Sequence, residues 1–264
     1  MTAADPSRLA ELRAKIDAID ESVHRLLMQR AMVIDELIQV KGTARNGAAF
    51  RPGREADMMR RLAARHEGHL PLTAIEHLWR EIISTFTALQ APFDVAVSTG
   101  GNPVAAIEAA RFTFGFSVPL KACDRAGDVV AWMEEGGDRL GVVLLQEEAG
   151  AWWEKLETAQ IVARLPFFQS GRREAGTPAV VLAPPLADPV PPEIACYAVR
   201  GPAETVDALL ASLEAETLVR HRNGAILSAL IATAAMDAAI EAARDAGLDI
   251  TAVGGYAAPL GIDA

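Results

Sequence analysis

The chain has few cysteines, few aromatic residues and no long apolar run. Cys123 and Cys196 are the only cysteines among its 264 residues, and they do not have the spacing of metal ligands, so we expect no metal and no other cofactor. No run of roughly 18 apolar residues is present, which argues against a membrane-spanning helix. The N-terminal residues also do not form an apolar segment with a cleavage site. We therefore expect a cytoplasmic protein.

Positive charge is also scarce. The 25 lysines and arginines are outnumbered by 35 acidic residues, and the formal net charge of -10 argues against binding to nucleic acid. Hydrophobic residues make up 51% of the chain, which is enough for the cores of two or three small domains. The basic residues are thus local exceptions in an acidic protein, and their positions are informative.

Three amphipathic helices are predicted in the first ninety residues. Apolar residues recur every three or four positions from Leu9 to Val40, which predicts one long helix over about residues 6 to 42. Pro52 suits the start of a second helix that ends near His66, and Pro71 opens a third that ends near Gln90.

Cations interrupt the apolar faces of these helices. Arg30 lies on the stripe of the long helix, four residues after Leu26 and three before Val33, where a charge is costly unless an anion binds there. Lys41 follows Arg30 by eleven residues, or three turns, so the two cations would bracket a cavity about 16 Å long. This pattern predicts a small ligand with several negative charges.

The length of the first helix predicts an oligomer. About 37 residues extend for roughly 55 Å, and two shorter helices cannot cover such a stripe. We therefore expect an intertwined helical homodimer. Arg13 lies about 26 Å from Arg30 along the helix, too far to share a small ligand within one chain, but it can reach the site of the partner subunit.

These residues resemble the all-helical chorismate mutase family over residues 8–91. The resemblance rests on the run from Leu12 to Asp20, the arginine seventeen residues after Arg13, Lys41, the Arg54-Glu55 pair and the segment from Glu81 to Gln90. It implies that the substrate is chorismate and the product prephenate. It places Arg30, Arg54 and the partner's Arg13 at the anionic groups of the substrate, Lys41 and Gln90 at its ether oxygen, and Glu55 at its ring hydroxyl. Phe86 and Arg51 depart from the family pattern.

Such a reaction suits these residue types. The rearrangement is unimolecular and pericyclic, so it needs neither a nucleophile nor an obligatory proton transfer. The protein can help by holding the compact conformer and by stabilising the negative charge that grows on the ether oxygen. Lys41 and Gln90 suit that task, and the planar guanidinium groups of arginines suit the carboxylates.

Residues 92–185 predict an α/β layer, which we interpret as a single periplasmic-binding-protein-like lobe. The predicted strands cover 93–97, 140–145 and 179–182, and the predicted helices cover 104–114 and 126–135. The order of elements, with Glu147 and Glu148 after the second strand, resembles the first lobe of a prephenate dehydratase. A short link replaces the second lobe, and Thr177-Pro178-Ala179 stands where that family has Thr-Arg-Phe. We therefore expect dehydratase activity to be absent.

Residues 193–264 predict a ferredoxin-like or ACT-like module. Strands and helices alternate in the order βαββαβ, and Asn223-Gly224 is a strong hairpin signal between the two middle strands. The ACT resemblance implies a possible phenylalanine or tyrosine effector, although a structural or dimer-forming role is equally compatible with the sequence.

Three domains are thus expected: the chorismate mutase helical domain at 1–91, the truncated dehydratase-like lobe at 92–185 and the ACT-like module at 193–264. Two alternatives to mutase activity stay open. One is an amino-acid-sensing regulatory protein with a relict mutase site. The other is an isochorismate pyruvate-lyase, which the same helical scaffold supports.

Overall fold

The computed structural model describes residues 5–41, 50–145, 150–171, 176–186 and 190–262. The chain divides into two compact units, Met1–Asn46 and Gly47–Ala264. The first unit carries a helical region, and the second carries two more helices followed by a large mixed α/β sheet.

A single helix, α1, runs from Pro6 to Lys41 and confirms the predicted long helix. Its stripe of large apolar side chains is exposed in the single chain. The exposed fraction is 62% for each of Ile19, Leu26 and Val33, and 51% for Val23. This helix therefore does not bury its own apolar face within one chain.

Two shorter helices, α2 (Pro52–Arg65) and α3 (Leu72–Gln90), begin the second unit, as predicted. Proline at the first turn of α2 costs no hydrogen bond, because that N–H would have no helical partner. Met59 and Leu62 of α2 are buried against Ile83 of α3 and against Phe167 and Phe168. Both helices thus share a core with the sheet domain. The predicted division of the chain after residue 91 stays a prediction.

Nine strands of the described residues form one sheet. In chain order these are β1 (Asp94–Ser98), β2 (Leu120–Cys123), β3 (Arg139–Leu144), β4 (Gln160–Leu165), β6 (Ala179–Ala183), β7 (Ile194–Pro202), β8 (Glu216–Asn223), β9 (Ile226–Thr233) and β10 (Asp249–Tyr256). The spatial order is β2-β1-β3-β6-β4-β10-β7-β9-β8. A small second sheet pairs β5 (Phe168–Gln169) with β11 (Leu260–Gly261).

In the part of the chain that the structure describes, four helices cover the sheet: α4 (Pro103–Phe114), α5 (Ala126–Glu134), α6 (Ala203–Ser212) and α7 (Met236–Asp245). Strand β1 pairs in parallel with both β2 and β3, while β6 runs antiparallel to β3 and β4. The last four strands follow the predicted βαββαβ chain order and are all antiparallel to their neighbours within this group.

The two halves of the sheet join where β4 pairs in parallel with β10 at Ile161 and Gly254. Gly254 has a φ of +121°, and a Cβ at this position would lie 2.2 Å from the carbonyl oxygen of Ile161. Only glycine therefore allows the strands to approach so closely. This seam makes the two predicted α/β modules one continuous sheet.

Periodicity does not predict the shortest elements. Strands β2, β5 and β11 and the 3₁₀ turn Trp152–Lys155 have only two to four residues each, too few for a pattern to repeat. Both cysteines are buried and reduced. No helix in the described part of the chain is long and apolar enough to cross a membrane.

Candidate active site

The candidate residues of α1 lie on a continuous helix, which fixes their separations along its axis. Arg13 is exposed and has no ion pair or hydrogen bond with any other described residue, whereas Arg30 is half-buried. Lys41 is the last residue of α1, and its side chain lies outside the described part of the structure. The helix therefore presents Arg13 as an unpaired cation in an acidic protein.

The first turn of α2 carries Arg54 and Glu55. Arg54 is exposed and lines a cleft of about 250 Å³ that also contains Arg51 and Arg60. Arg60 is paired with Glu193, but Arg54 has no ion-pair partner within the described ranges. An unpaired guanidinium here is available to an anionic ligand.

Glu55 is held by a buried partner. Its Oε2 accepts a hydrogen bond of 2.9 Å from Nη1 of Arg80 on α3, and the side chains of Glu55 and Arg80 are only 12% and 8% exposed. Burial raises the pKa of Glu55, and the positive charge of Arg80 opposes this shift. The second carboxylate oxygen of Glu55 has no partner among the described residues.

Gln90 ends α3. Its side-chain N–H donates to the carbonyl oxygen of Phe86 at 3.0 Å, which fixes the amide group against its own helix. The side-chain carbonyl oxygen makes no hydrogen bond to a described residue. The bond to Phe86 uses one of the two amide hydrogens of Gln90, so the other is available to donate to a ligand.

Helix α3 is fastened to the sheet domain along its length. The Ser84 hydroxyl lies 3.1 Å from the carbonyl oxygen of Thr113, and the carboxylate of Glu81 accepts a hydrogen bond of 3.1 Å from the backbone N–H of Phe116. Gly115, next to Phe116, has a φ of +68°, and a Cβ there would collide with the Glu81 carboxylate. These contacts hold α3 in place against the sheet domain.

Sequence reasoning missed Arg80. It lies beside the apolar stripe of α3, one residue after Trp79, and is 7% exposed. Its partner Glu55 is 25 residues away in the chain. A weak signal was available, because Glu76 one turn earlier is also charged and also buried, so this face of α3 carries two charges in the interior.

The candidate set contains three arginines, one lysine, one glutamate and one glutamine, and it includes no serine, threonine or cysteine. The described residues include no group of three or more His, Cys, Asp or Glu side chains that could hold a metal ion. Cations and amide donors of this kind can bind an anion and stabilise developing negative charge.

The rear half carries the residues compared above with a dehydratase. Thr177 is half-buried and immediately precedes β6, where the carbonyl oxygen of Pro178 accepts a hydrogen bond of 2.9 Å from the backbone N–H of Leu145. Glu147 and Glu148 lie outside the described residues. The segment Thr177-Pro178-Ala179 therefore continues directly into a buried strand.

Comparison with known proteins finds similarity in the helical region. Residues 12–91 match the family model described as chorismate mutase type II. Two curated relatives are named bifunctional chorismate mutase/prephenate dehydratase. The protein from Neisseria gonorrhoeae is 33% identical over 122 residues, which are 46% of this chain and 33% of the relative. The protein from Aquifex aeolicus is 33% identical over 139 residues, which are 51% of this chain and 38% of the relative.

The chain thus matches little more than a third of the length of these relatives. Among solved structures, prephenate dehydratase from Streptococcus mutans overlaps 65% of this chain and all of that chain, with 13% identity and a TM-score of 0.44. A likeness at that level does not establish a shared fold.

Proposed function

We propose that residues 12–91, a domain of the chorismate mutase type II family, convert chorismate to prephenate. The observation that carries this proposal is the extent of the family match, which spans nearly all of α1 and the whole of α2 and α3. All six candidate residues fall within it: Arg13, Arg30, Lys41, Arg54, Glu55 and Gln90.

The proposed mechanism needs only binding and electrostatics. Arg30, Arg54 and the partner's Arg13 hold the anionic groups of chorismate and select its compact conformer. Lys41 and Gln90 donate to the ether oxygen, which gains negative charge as its bond to carbon breaks. These two donors act most strongly in the transition state, so they lower the barrier more than they tighten substrate binding.

Glu55 would accept a hydrogen bond from the ring hydroxyl. Its unpartnered carboxylate oxygen supports this role, while the ion pair with Arg80 keeps the other oxygen in place. Arg80 would therefore be a positioning residue for Glu55.

The proposed active form is a homodimer. Its support is the exposed stripe of α1, where Leu9, Leu12 and Ile16 are 42, 43 and 57% exposed in addition to the residues already named. An exposed apolar face of this length needs a partner, and a second copy of α1 carries a matching one.

For the rear half we propose no dehydratase activity. The segment Thr177-Pro178-Ala179 offers a hydroxyl but no cation or aromatic ring before the chain enters β6. We propose that residues 193–264 are an ACT-like module, since their four strands have the βαββαβ order, and that phenylalanine or tyrosine is its candidate effector.

The experiment is to add the purified full chain to chorismate and follow its disappearance. One portion is then acidified, which converts prephenate to phenylpyruvate, and is compared with a portion that is not acidified. Loss of chorismate with phenylpyruvate only after acid supports a mutase without dehydratase activity. Phenylpyruvate without acid would contradict the proposed loss of the dehydratase, and no loss of chorismate would contradict the mutase proposal.

The matched variants are Lys41→Ala and Lys121→Ala. Removal of a donor at the developing negative charge should reduce kcat by about 10² to 10³ fold. Lys121 lies on the exposed edge strand β2, so its substitution should leave turnover unchanged. Equal activity of the two variants would exclude the role proposed for Lys41.

A further inference from the structure

Helix α2 is tied to the C-terminal part of the chain through Arg60, an arginine outside the candidate set. Its Nη2 atom donates to Oε2 of Glu193 and, at 3.0 Å, to the carbonyl oxygen of Ala258. Its guanidinium carbon also lies 5.8 Å from the centre of the Phe167 ring, which is within the range of a cation–π contact. The pair with Asp57, at 3.7 Å, stays within α2. One side chain of α2 therefore contacts three segments that are distant in the chain.

Two of these contacts lie at the end of the strand pair β7–β10. Ile194, the first residue of β7, pairs with Tyr256, the last residue of β10. Glu193 immediately precedes this pair, and Ala258 lies two residues after it. The backbone N–H of Ala258 donates to Oε2 of Glu193 at 2.7 Å, so Arg60, Glu193 and Ala258 form a closed set of hydrogen bonds, the Arg60 cluster. The bond from Arg60 lowers the pKa of Glu193, as expected for a charge-assisted pair.

The segment 257–262 continues from the Arg60 cluster to the core under α2. The backbone N–H of Leu260 donates to the carbonyl oxygen of Phe167 at 2.9 Å, next to the pairing of β11 with β5. Three apolar residues of this segment pack against the core that buries Met59 of α2: Ala257, Leu260 and Ile262. Apolar contacts are not directional, so the Arg60 cluster supplies the directional part of this support.

The Arg60 cluster and the Glu55–Arg80 pair hold α2 on different sides. Arg60 follows Glu55 by five residues, which is about 140° around the helix axis and about 7.5 Å along it. Glu55 is bonded to α3, whereas Arg60 is bonded to the end of β7 and β10. Two directional contacts on different sides oppose both rotation and sliding of α2. Arg54 lines the same cleft of about 250 Å³ as Arg60 and Glu193, so its surroundings also depend on these contacts.

We propose that Arg60 is a positioning residue for the mutase reaction. By fixing α2 to Glu193 and Ala258, it keeps Arg54 and Glu55 where they bind the substrate. Arg60 acts through the helix and does not itself touch the substrate. The inference rests on the proposed mutase function, and it adds that the C-terminal module contributes to the geometry of the mutase site.

The test measures kcat and KM for chorismate with the full chain carrying Arg60→Met or Glu193→Gln. Arg54 and Glu55 are proposed to bind substrate and transition state alike, so their displacement should raise KM more than it lowers kcat. We expect KM to rise about fivefold in Arg60→Met and about twofold in Glu193→Gln, where the amide oxygen can still accept a bond from Arg60. A purely structural role would reduce the amount of folded enzyme, which lowers the apparent kcat and leaves KM unchanged.

Three further variants make the result specific. Arg61 is exposed and makes no ion pair or hydrogen bond with another described residue, so Arg61→Met removes the neighbouring charge and should leave KM unchanged. Arg60→Lys keeps a cation that can pair with Glu193 and should raise KM less than Arg60→Met does. The double variant with Arg60→Met and Glu193→Gln should raise KM no more than Arg60→Met alone, because both substitutions break the same contact.

An unchanged KM in Arg60→Met, or an equal rise in Arg61→Met, would overturn the positioning role while the unmodified protein still consumes chorismate. If Arg60→Met does not fold, Glu193→Gln decides, because its carboxamide replaces a half-exposed carboxylate, and an unchanged KM there would overturn the role. No turnover by the unmodified protein would instead overturn the mutase proposal and this inference together.

Discussion

Helix α1 exposes its apolar residues, whereas the sheet unit buries its own. Leu26 and Val33 of α1 are each 62% exposed, although they lie on a regular apolar stripe. In the sheet, Val97, Val143 and Leu230 are completely buried under helices on the faces of the strands. The two regions share the same residue types, so the difference comes from what each can cover alone.

This difference shows which part of the chain needs a second copy. A nine-stranded sheet with helices on its faces closes its own core. A single helix of 36 residues cannot, because most helical stability in water comes from packing of the apolar face. The mutase proposal thus depends on assembly, whereas the fold of the sheet does not.

The largest effect is expected from a charge placed on the apolar stripe of α1. Val23→Asp should convert the dimer to monomers and reduce chorismate turnover at least tenfold, because a buried unpaired charge opposes packing and the site loses the partner's Arg13. Light scattering coupled to size exclusion measures the first effect and chorismate consumption the second. Ser22→Asp adds the same charge at an adjacent position that is already polar and exposed. Dimers of unchanged stability in Val23→Asp would contradict the proposed interface.

The sheet unit should respond instead to the loss of its buried ion pair. Arg80→Met leaves Glu55 buried without its partner and should lower the free energy of unfolding by about 3 kcal/mol, as measured by urea denaturation. The matched control is Arg125→Met, which breaks an ion pair whose arginine side chain is 81% exposed and should change stability little. Equal effects of the two substitutions would show that the Glu55–Arg80 pair stabilises the fold no more than an exposed ion pair does.

A smaller, pH-dependent effect is expected at Glu134. Burial alone would raise the pKa of this carboxyl, but bonds from the Thr158 hydroxyl and from the backbone N–H groups of residues 157–159 together lower it. A depressed folded-state pKa stabilises the protein above the ordinary glutamate pKa, and this stabilisation is lost as the pH falls through the folded-state value.

Glu134→Gln should therefore lower the melting temperature by roughly 1–3 °C at pH 7, and the difference from the unmodified protein should shrink as the pH falls below about 4. Glu135→Gln changes the adjacent, 64% exposed carboxylate and should have the smaller effect. A difference in melting temperature that does not change with pH would exclude the lowered pKa of Glu134 as the source of this stabilisation.

The helices were predictable from sequence because their patterns repeat over many turns. Residues from Leu9 to Val40 repeat the apolar spacing often enough to place α1 within about one residue at its C-terminal end. The βαββαβ order of the last module was also predictable, since Asn223-Gly224 marks the hairpin. The turn itself lies one residue later than predicted, at 224–225, because Asn223 still pairs with Ile226, and Gly224 has a φ of +61°.

Long-range pairings were not predictable. Nothing in the sequence indicates that Arg80 reaches Glu55, that Gly254 allows β10 to pair with β4, or that Arg200, Ser228 and His221 align across three strands. Such contacts depend on how elements pack, and a single sequence carries only their local preferences. The six candidate site residues follow from the sequence and stay predictions, whereas the contacts that support them could not be predicted.

The most direct measurement of the central claim uses two inactive variants. Arg13→Ala and Lys41→Ala are each purified, shown to be nearly inactive, then unfolded together and refolded as a mixture. If each site combines Lys41 of one chain with the partner's Arg13, mixed dimers contain one intact site, and random pairing should restore about a quarter of the unmodified activity. Mixed dimers that form but remain as inactive as the separate variants would contradict a site shared between two copies of α1.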